Sequence, residues 1–268
     1  MSVGRANLKA MELTASQEFA SRIEYLPEIG STNTYLLQEA KNQEAWPDFS
    51  VVLTDNQTSG RGRMDRVWQA KPGQGLAVSV LLRPVEYGIE SFGWLPLAAG
   101  LAMRNAVASL VHDSEVSLKW PNDVLVNGEK ISGILAEALS DRAVVIGAGL
   151  NLRQQKEDLP IEAATSLALH GVSGFKLDDI LVRYLAGLKR IYEEFNAANA
   201  DPDASGLKQE LIEVSSTIGS SVSVQLPDES SFEGKAIGLD RQGRLLIAVE
   251  NPTEIRAVAA GDIKHLRQ

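Results

Sequence analysis

Residues 116–136 read Val-Ser-Leu-Lys-Trp-Pro-Asn-Asp-Val-Leu-Val-Asn-Gly-Glu-Lys-Ile-Ser-Gly-Ile-Leu-Ala, and they hold the clearest sign of fold class in the chain. The parts 116–120 and 124–126 are strand-like because β-branched and apolar residues dominate them. Asn127-Gly128 then forms a strong hairpin signal before another apolar run at 130–136. Strands joined by so short a turn pair antiparallel, so the stretch favours a mixed α+β layer over a regular array of parallel strands and crossover helices.

The flanking sequence supplies further strands and helices for this layer. Apolar or β-branched runs predict strands at 50–54, 76–82 and 143–151. Helical patterns follow at 96–111 and 177–195, and Ser31-Thr32-Asn33 is typical of a capped helix start. We therefore predict a mixed β-sheet flanked by helices.

The C-terminal part of the chain has a different character. After an Ala/Asp/Pro/Gly-rich segment at 196–206, short strand-like runs alternate with turn signals. The runs lie at 221–226, 233–240, 245–249 and 255–259. Their spacing predicts a small SH3-like β-barrel. The predicted organisation is an N-terminal arm at 1–22, a larger domain at 23–213 and the barrel at 214–268.

Composition excludes several classes of protein. The 268 residues include 26 Lys and Arg against 35 Asp and Glu, a formal net charge of −9, which disfavours nucleic acid as a partner. The chain has no cysteine, so disulfides and thiolate chemistry are excluded. No apolar run approaches the roughly 20 residues of a membrane helix, and no signal peptide is recognisable. We expect a cytoplasmic protein that contacts neither membrane nor nucleic acid.

Two cationic stretches point to an anionic ligand. The segment 60–71 carries four basic residues against Asp65, a local charge of +3. Within it, glycines alternate with arginines, so that backbone N–H groups and guanidiniums can approach phosphate or carboxylate together. The second stretch, Lys119-Trp120-Pro121-Asn122-Asp123, places an ammonium at a strand end. No phosphate-binding loop of the Walker type occurs, and the three histidines have no metal-ligand spacing.

At these motifs the chain resembles the biotin–protein ligases, also called biotin–[acetyl-CoA-carboxylase] ligases, over about residues 23–268. Gly-Arg-Gly-Arg-x-x-Arg-x-Trp at 60–68 is similar to their biotin-binding loop, and Lys119–Asp123 is similar to their second hallmark. The supporting matches are Ser31-Thr32-Asn33, Gln57, Gly133-Ile134-Leu135, Gly147–Asn151 and Gly261-Asp262-Ile263. Only 30 residues precede Ser31, which predicts the form that lacks the family's DNA-binding domain.

The resemblance implies an ATP-dependent ligase that forms a C–N bond. Biotin and ATP would give biotinyl-5′-AMP, and a lysine of a biotin carboxyl carrier domain of a carboxylase would then accept the biotin. ATP and Mg²⁺ would be required. The protein would act as a monomer or a weak homodimer. A lipoate–protein ligase and a biotin sensor without enzymatic activity remain the alternatives.

The resemblance also implies site residues. Catalytic roles fall to Lys119, Arg61 and Arg63. The biotin-binding residues would be Ser31, Thr32, Asn33, Gln57, Arg61, Gly62, Arg63, Lys119 and Gly133. The nucleotide-binding residues would be Arg63, Arg66, Trp68, Lys119, Asn122 and Asn151. Asp123 is a candidate for holding Mg²⁺, although the metal ligands are otherwise unknown.

Some of these residues also have plainer interpretations. Asn33 could belong only to a helix cap, and Trp120 to the core. The sequence departs from the family pattern at Asp65, where glycine is usual. Glycine tolerates positive φ better than aspartate does, so this position bears on how the loop closes over a ligand.

Overall fold

The computed structural model describes residues 13–64, 66–84, 87–226, 230–250, 253–259 and 261–266. Asp65 therefore lies outside the described residues, as does the first half of the predicted N-terminal arm. The α-helices are α1 (Thr32–Glu39), α2 (Trp94–Ala108), α3 (Leu177–Ala197) and α4 (Leu207–Glu213). Short 3-10 helices lie at Ser16–Phe19, Ile89–Ser91, Lys156–Asp158 and Ala168–His170. None of the helices in these ranges is long and apolar enough to cross a membrane.

A seven-stranded mixed sheet forms the larger part of the fold. Its strands are β1 (Arg22–Tyr25), β2 (Ser50–Thr54), β5 (Gly75–Leu82), β6 (Val116–Lys119), β7 (Asp123–Val126), β8 (Glu129–Ala138) and β9 (Val144–Asn151). Their order is β1-β2-β5-β9-β8-β7-β6, with a parallel pairing of β1 and β2 and antiparallel pairing elsewhere. Every residue of the inner strand β5 is buried.

The two faces of this sheet are covered differently. The long helices α2 and α3 pack on one face, where Val80, Leu101 and Leu185 belong to one continuous apolar core. The other face carries a smaller cluster beneath α1, which includes Leu36 and Leu81. The rest of that second face is open to the site described below.

The C-terminal part forms a five-stranded antiparallel sheet. Its strands are β10 (Ser221–Gln225), β11 (Ser231–Leu239), β12 (Leu245–Glu250), β13 (Thr253–Val258) and β14 (Asp262–His265), in the order β13-β12-β11-β10-β14. Trp120 connects the two sheets, because its backbone N–H donates to Thr217 and its indole N–H to the carbonyl of Gly243.

The predicted fold class is confirmed, with differences at particular elements. The hairpin at Asn127-Gly128 joins β7 to β8, and both long helices lie where the pattern predicts them. The basic segment is not loop throughout, because Gly60–Arg61 (β3) and Val67–Trp68 (β4) pair as short antiparallel strands. The strands β1 and β14 and the helix α4 were not predicted from the sequence.

Candidate active site

Small residues on the three central strands form the floor of the site. Ala77, Gly149 and Gly133 lie side by side across β5, β9 and β8, and Ser79, Gly147 and Leu135 form the next row. Both rows belong to the sheet face that carries α1. Because most of these side chains are small, the sheet leaves room for other groups to approach its backbone.

The first turn of α1 stands at one end of this floor. Ser31 is the N-cap, and its hydroxyl accepts from the N–H of Thr34 at 3.4 Å. The N–H of Thr32 donates to Oε1 of Gln57 at 3.0 Å. The buried hydroxyl of Ser79 donates to Oδ1 of Asn33 at 2.6 Å and lies 2.8 Å from Oγ1 of Thr32. This neutral polar cluster matches a ligand that carries an amide-like group.

Asn33 is more than a cap residue. Its Nδ2 donates to the carbonyl of Leu135 at 3.2 Å and to Oε2 of Glu137 at 3.0 Å, while its Oδ1 accepts from Ser79. A Cβ at Gly147 would lie only 2.3 Å from that Oδ1. The glycine therefore permits the close approach of Asn33 to the sheet.

The basic loop, residues 60–68, is held from two sides. Arg63 donates to Oδ1 of Asn122 at 3.1 Å and to the carbonyl of Gly261 at 3.4 Å. Arg66 forms an ion pair with Asp262 at the start of β14. Burial lowers the pKa of Arg63, while the nearby Asp123 opposes that effect and Arg66 adds to it. The C-terminal sheet thus contributes directly to the wall of the site.

Trp68 rests on the glycine floor. A Cβ at Gly149 would meet the Trp68 indole at 2.3 Å, and one at Gly133 would meet it at 3.5 Å. The indole therefore occupies a slot that depends on the missing side chain at Gly149, whereas the contact at Gly133 would be an ordinary one.

Two lysines reach the centre of the site. Lys119 is half-buried at the end of β6, and burial lowers its pKa, an effect that Asp123 opposes and that Lys130 and Arg66 reinforce. Among the described residues, its Nζ makes no hydrogen bond or ion pair. Lys130 on β8 pairs with Asp123, with 2.6 Å between its Nζ and Oδ1. The unpartnered ammonium of Lys119 is consequently available to an anion.

The opposite wall is built by the segment after β9. Asn151 donates to the carbonyl of Thr165 at 2.9 Å and accepts from Gln154 at 3.0 Å, so its side chain organises this segment. The Nζ of Lys156 lies 2.5 Å from Glu129 and donates to the carbonyls of Glu162 and Ala164. Pro160, Ile161 and Ala164 present an apolar surface to the site.

These groups enclose one cavity of about 560 Å³. It is lined by every described residue to which the sequence assigned a role: Ser31, Thr32, Asn33, Gln57, Arg61, Gly62, Arg63, Arg66, Trp68, Lys119, Asn122, Asp123, Gly133 and Asn151. Their individual roles stay predictions. Trp120 also lines the cavity, but it is 6% exposed and belongs to the apolar core.

Sequence reasoning missed three residues at or beside the site, Ser79, Lys130 and Glu137, and it named Asp262 as a supporting match without giving it a role. Lys130 faces the cavity because the β7–β8 register skips Ile131, a bulge that turns Ile131 into the core. Simple alternation from Gly133 would have placed Ile131 at the ligand instead. Ser79 and Glu137 follow that alternation on their strands, so the cavity face of β5 and β8 was the available signal.

Comparisons with known proteins agree with this geometry. Residues 25–151 match the model of the biotin/lipoate A/B protein ligase family, and residues 217–266 match the biotin protein ligase C terminal domain. A biotin–[acetyl-CoA-carboxylase] ligase of Mycobacterium tuberculosis is 39% identical, over 92% of this chain and 90% of that protein. The bifunctional ligase/repressor BirA of Bacillus subtilis is 31% identical, over 88% of this chain and 72% of that protein.

A solved structure shows the same fold. The biotin protein ligase from Aquifex aeolicus in complex with biotin and ATP superposes with a TM-score of 0.73 and 28% identity, over 92% of this chain and all of that chain. The chain therefore belongs to the biotin protein ligases of the biotin/lipoate A/B protein ligase family. This confirms the family predicted from the sequence.

Proposed function

We propose that the protein activates biotin with ATP and transfers it to a lysine of a biotin carboxyl carrier domain. The observation that carries the proposal is one cavity in which a neutral polar cluster at α1 meets six cationic side chains: Arg61, Arg63, Arg66, Lys119, Lys130 and Lys264. The cluster suits the ureido ring of biotin. The cations suit the biotin carboxylate and the phosphates of ATP, which would otherwise repel each other.

The first step is a displacement at phosphorus. A carboxylate oxygen of biotin attacks the α-phosphorus of ATP, the bond to the bridging oxygen breaks, and pyrophosphate leaves. Such a transfer needs positioning and charge stabilisation rather than covalent chemistry from the protein. Lys119 supplies an ammonium at the reacting centre, and Arg63 holds the loop against Asn122.

The second step is aminolysis of the mixed anhydride. The ε-amine of the carrier lysine attacks the acyl carbon of biotinyl-5′-AMP, an amide bond forms, AMP leaves and the amine loses a proton. The Trp68 indole and the apolar segment at Pro160–Ile161 limit the access of water to the anhydride. We expect the carrier to belong to a biotin-dependent carboxylase.

The residues present fit Mg²⁺ that arrives with the nucleotide. Oδ1 of Asp123 is buried, and its one partner among the described residues is the Lys130 ammonium at 2.6 Å, so the carboxylate would have to be shared with the metal. Among the described residues, no group of three or more His, Cys, Asp or Glu side chains could hold a metal. One carboxylate together with substrate phosphates is a common Mg²⁺ arrangement. Bound in this way, Mg²⁺ would neutralise phosphate charge.

Two wider aspects of the organisation also stay proposals. We propose an arm at 1–22, a catalytic domain at 23–213 and a C-terminal domain at 214–268. The ion pair of Arg66 and Asp262 supports a role of the C-terminal domain in closing the basic loop. We propose action in the cytoplasm as a monomer or weak homodimer. The net charge of −9 supports the absence of nucleic-acid binding.

The proposed function predicts biotin-dependent exchange of labelled pyrophosphate into ATP. The purified protein should then transfer labelled biotin to an isolated carrier domain. Lipoate offered in place of biotin should support neither reaction. Equal exchange with lipoate would favour a lipoate ligase, and biotin binding without any exchange would indicate a sensor.

The activity should also fall on the alkaline side, and the fall should begin at a lower pH than it would for a lysine with an ordinary pKa. Lys119 must be charged to act, and burial lowers its pKa, so deprotonation begins earlier on the alkaline side. The measurement is kcat/KM for pyrophosphate exchange between neutral and alkaline pH. The alkaline limb of Lys119→Arg should move to higher pH, since guanidinium stays charged. Coincident limbs for both proteins would contradict the assignment.

A further inference from the structure

Glu137 on β8 joins two parts of the site. Its Oε1 lies 2.9 Å from Nη1 of Arg61 on β3, and its Oε2 accepts from Nδ2 of Asn33 on α1 at 3.0 Å. We propose that Glu137 is a positioning residue that orients the Asn33 amide for biotin and seats Arg61 of the basic loop at the same time. This inference rests on the proposed function.

The contacts of Asn33 show how its amide is oriented. Its Oδ1 accepts from the buried hydroxyl of Ser79, and its Nδ2 faces Glu137 and the carbonyl of Leu135. A carboxylate can only accept hydrogen bonds. If the amide were reversed, its oxygen would face the oxygens of Glu137 and Leu135, so Glu137 allows one orientation only.

The negative charge of Glu137 needs the positive charge of Arg61 beside it. The side chain of Glu137 is 22% exposed and stands beside a cavity that must admit the biotin carboxylate. Left unpaired, its charge would repel that anion. Arg61, whose side chain is 51% exposed, neutralises it and is drawn toward the biotin end of the cavity. In this ion pair the charge of Glu137 no longer repels the biotin carboxylate and instead holds Arg61 and the basic loop in place.

The two substitutions Glu137→Gln and Arg61→Gln should consequently be strongly non-additive. We expect Glu137→Gln to raise the Kd for biotin, measured without ATP, about tenfold, the effect of losing one charge-assisted contact. Arg61→Gln should raise it about thirtyfold, because it also leaves Glu137 unpaired. The double variant should bind about as well as Glu137→Gln alone, which means that removing the carboxylate rescues part of the Arg61 defect.

Glu24→Gln serves as a matched control. Glu24 on β1 also pairs with an arginine, Arg22, at 2.7 Å, and accepts from the hydroxyl of Tyr35 at 3.1 Å. The partners of Glu137, Arg61 and Asn33, line the cavity, whereas those of Glu24 do not. It should leave the Kd for biotin unchanged. Glu137→Asp keeps the charge with a shorter reach and should lie between wild type and Glu137→Gln. Thermal unfolding of all variants separates loss of fold from loss of binding.

Multiplicative effects of the two substitutions, or an unchanged Kd for Glu137→Gln, would overturn the inference. So would an equal loss of binding in Glu24→Gln. A wild-type protein that binds no biotin would overturn the proposed function itself, and the inference with it. Biotin-dependent pyrophosphate exchange by the wild type distinguishes these cases.

Discussion

Lys119→Ala is expected to lower the rate of pyrophosphate exchange by a few hundredfold while the protein stays folded. The loss of one donor aimed at charge that develops in a transition state typically raises the barrier by about 3–4 kcal/mol. Lys119 is the suitable group because, among the described residues, its ammonium has no protein partner and can meet the reacting oxygens without first breaking an ion pair. Lys130, by contrast, is paired with Asp123.

The thermal stability of Lys119→Ala is a second, independent test of the environment assigned to Lys119. Burial of an unpartnered ammonium disfavours the folded state, as the lowered pKa of Lys119 indicates. Removing it should therefore leave the melting temperature unchanged or raise it slightly. Lys235→Ala, an exposed lysine on β11, provides the matched control and should retain full exchange activity. Exchange near the wild-type rate by Lys119→Ala would refute the catalytic assignment.

The sequence identifies the parts of this site that depend on local chemistry. Three features depend only on residues close together in the chain, so the sequence alone predicts them. They are the Asn127-Gly128 turn, the Ser31 cap and the glycine–arginine alternation at 60–63. The motif residues accordingly meet in one cavity. The helix α4 escaped prediction because it spans only seven residues behind a segment rich in turn formers, and only Leu207 and Leu211 bury its apolar side.

The remaining residues depend on strand register, which the sequence does not reveal locally. Glu137 lies beside Val145 on β9, on the sheet face of α1, but its partners come from β3 and α1. Lys130 faces the cavity because a bulge reverses the alternation at Ile131. Asp262 reaches Arg66 across 196 positions of sequence. These contacts depend on a bulge or on segments that lie far apart in the sequence, so composition and periodicity could not predict them.

Gly147→Ala should weaken biotin binding about a hundredfold, although alanine is an ordinary strand residue. The new Cβ would lie 2.3 Å from Oδ1 of Asn33, far inside van der Waals contact. Asn33 cannot yield cheaply, because its amide bonds Ser79, Leu135 and Glu137. Displacing it leaves buried polar groups unsatisfied, which typically destabilises by about 1–3 kcal/mol, so the free energy of unfolding should fall as well.

Two further variants separate the clash from a general effect of alanine. Gly187→Ala in α3 meets its nearest atom, Cβ of Ala102, at an ordinary 3.7 Å, and should leave biotin binding intact while stabilising the helix by up to about 1 kcal/mol. The double variant Gly147→Ala with Asn33→Ala removes the clash but still leaves the partners of the amide, Ser79, Leu135 and Glu137, without it, so neither full stability nor biotin affinity should return. Calorimetric titration with biotin and thermal unfolding measure both quantities. Recovery of affinity in the double variant would mean that Asn33 does not bind biotin, because the clash would then be the sole cause of the loss.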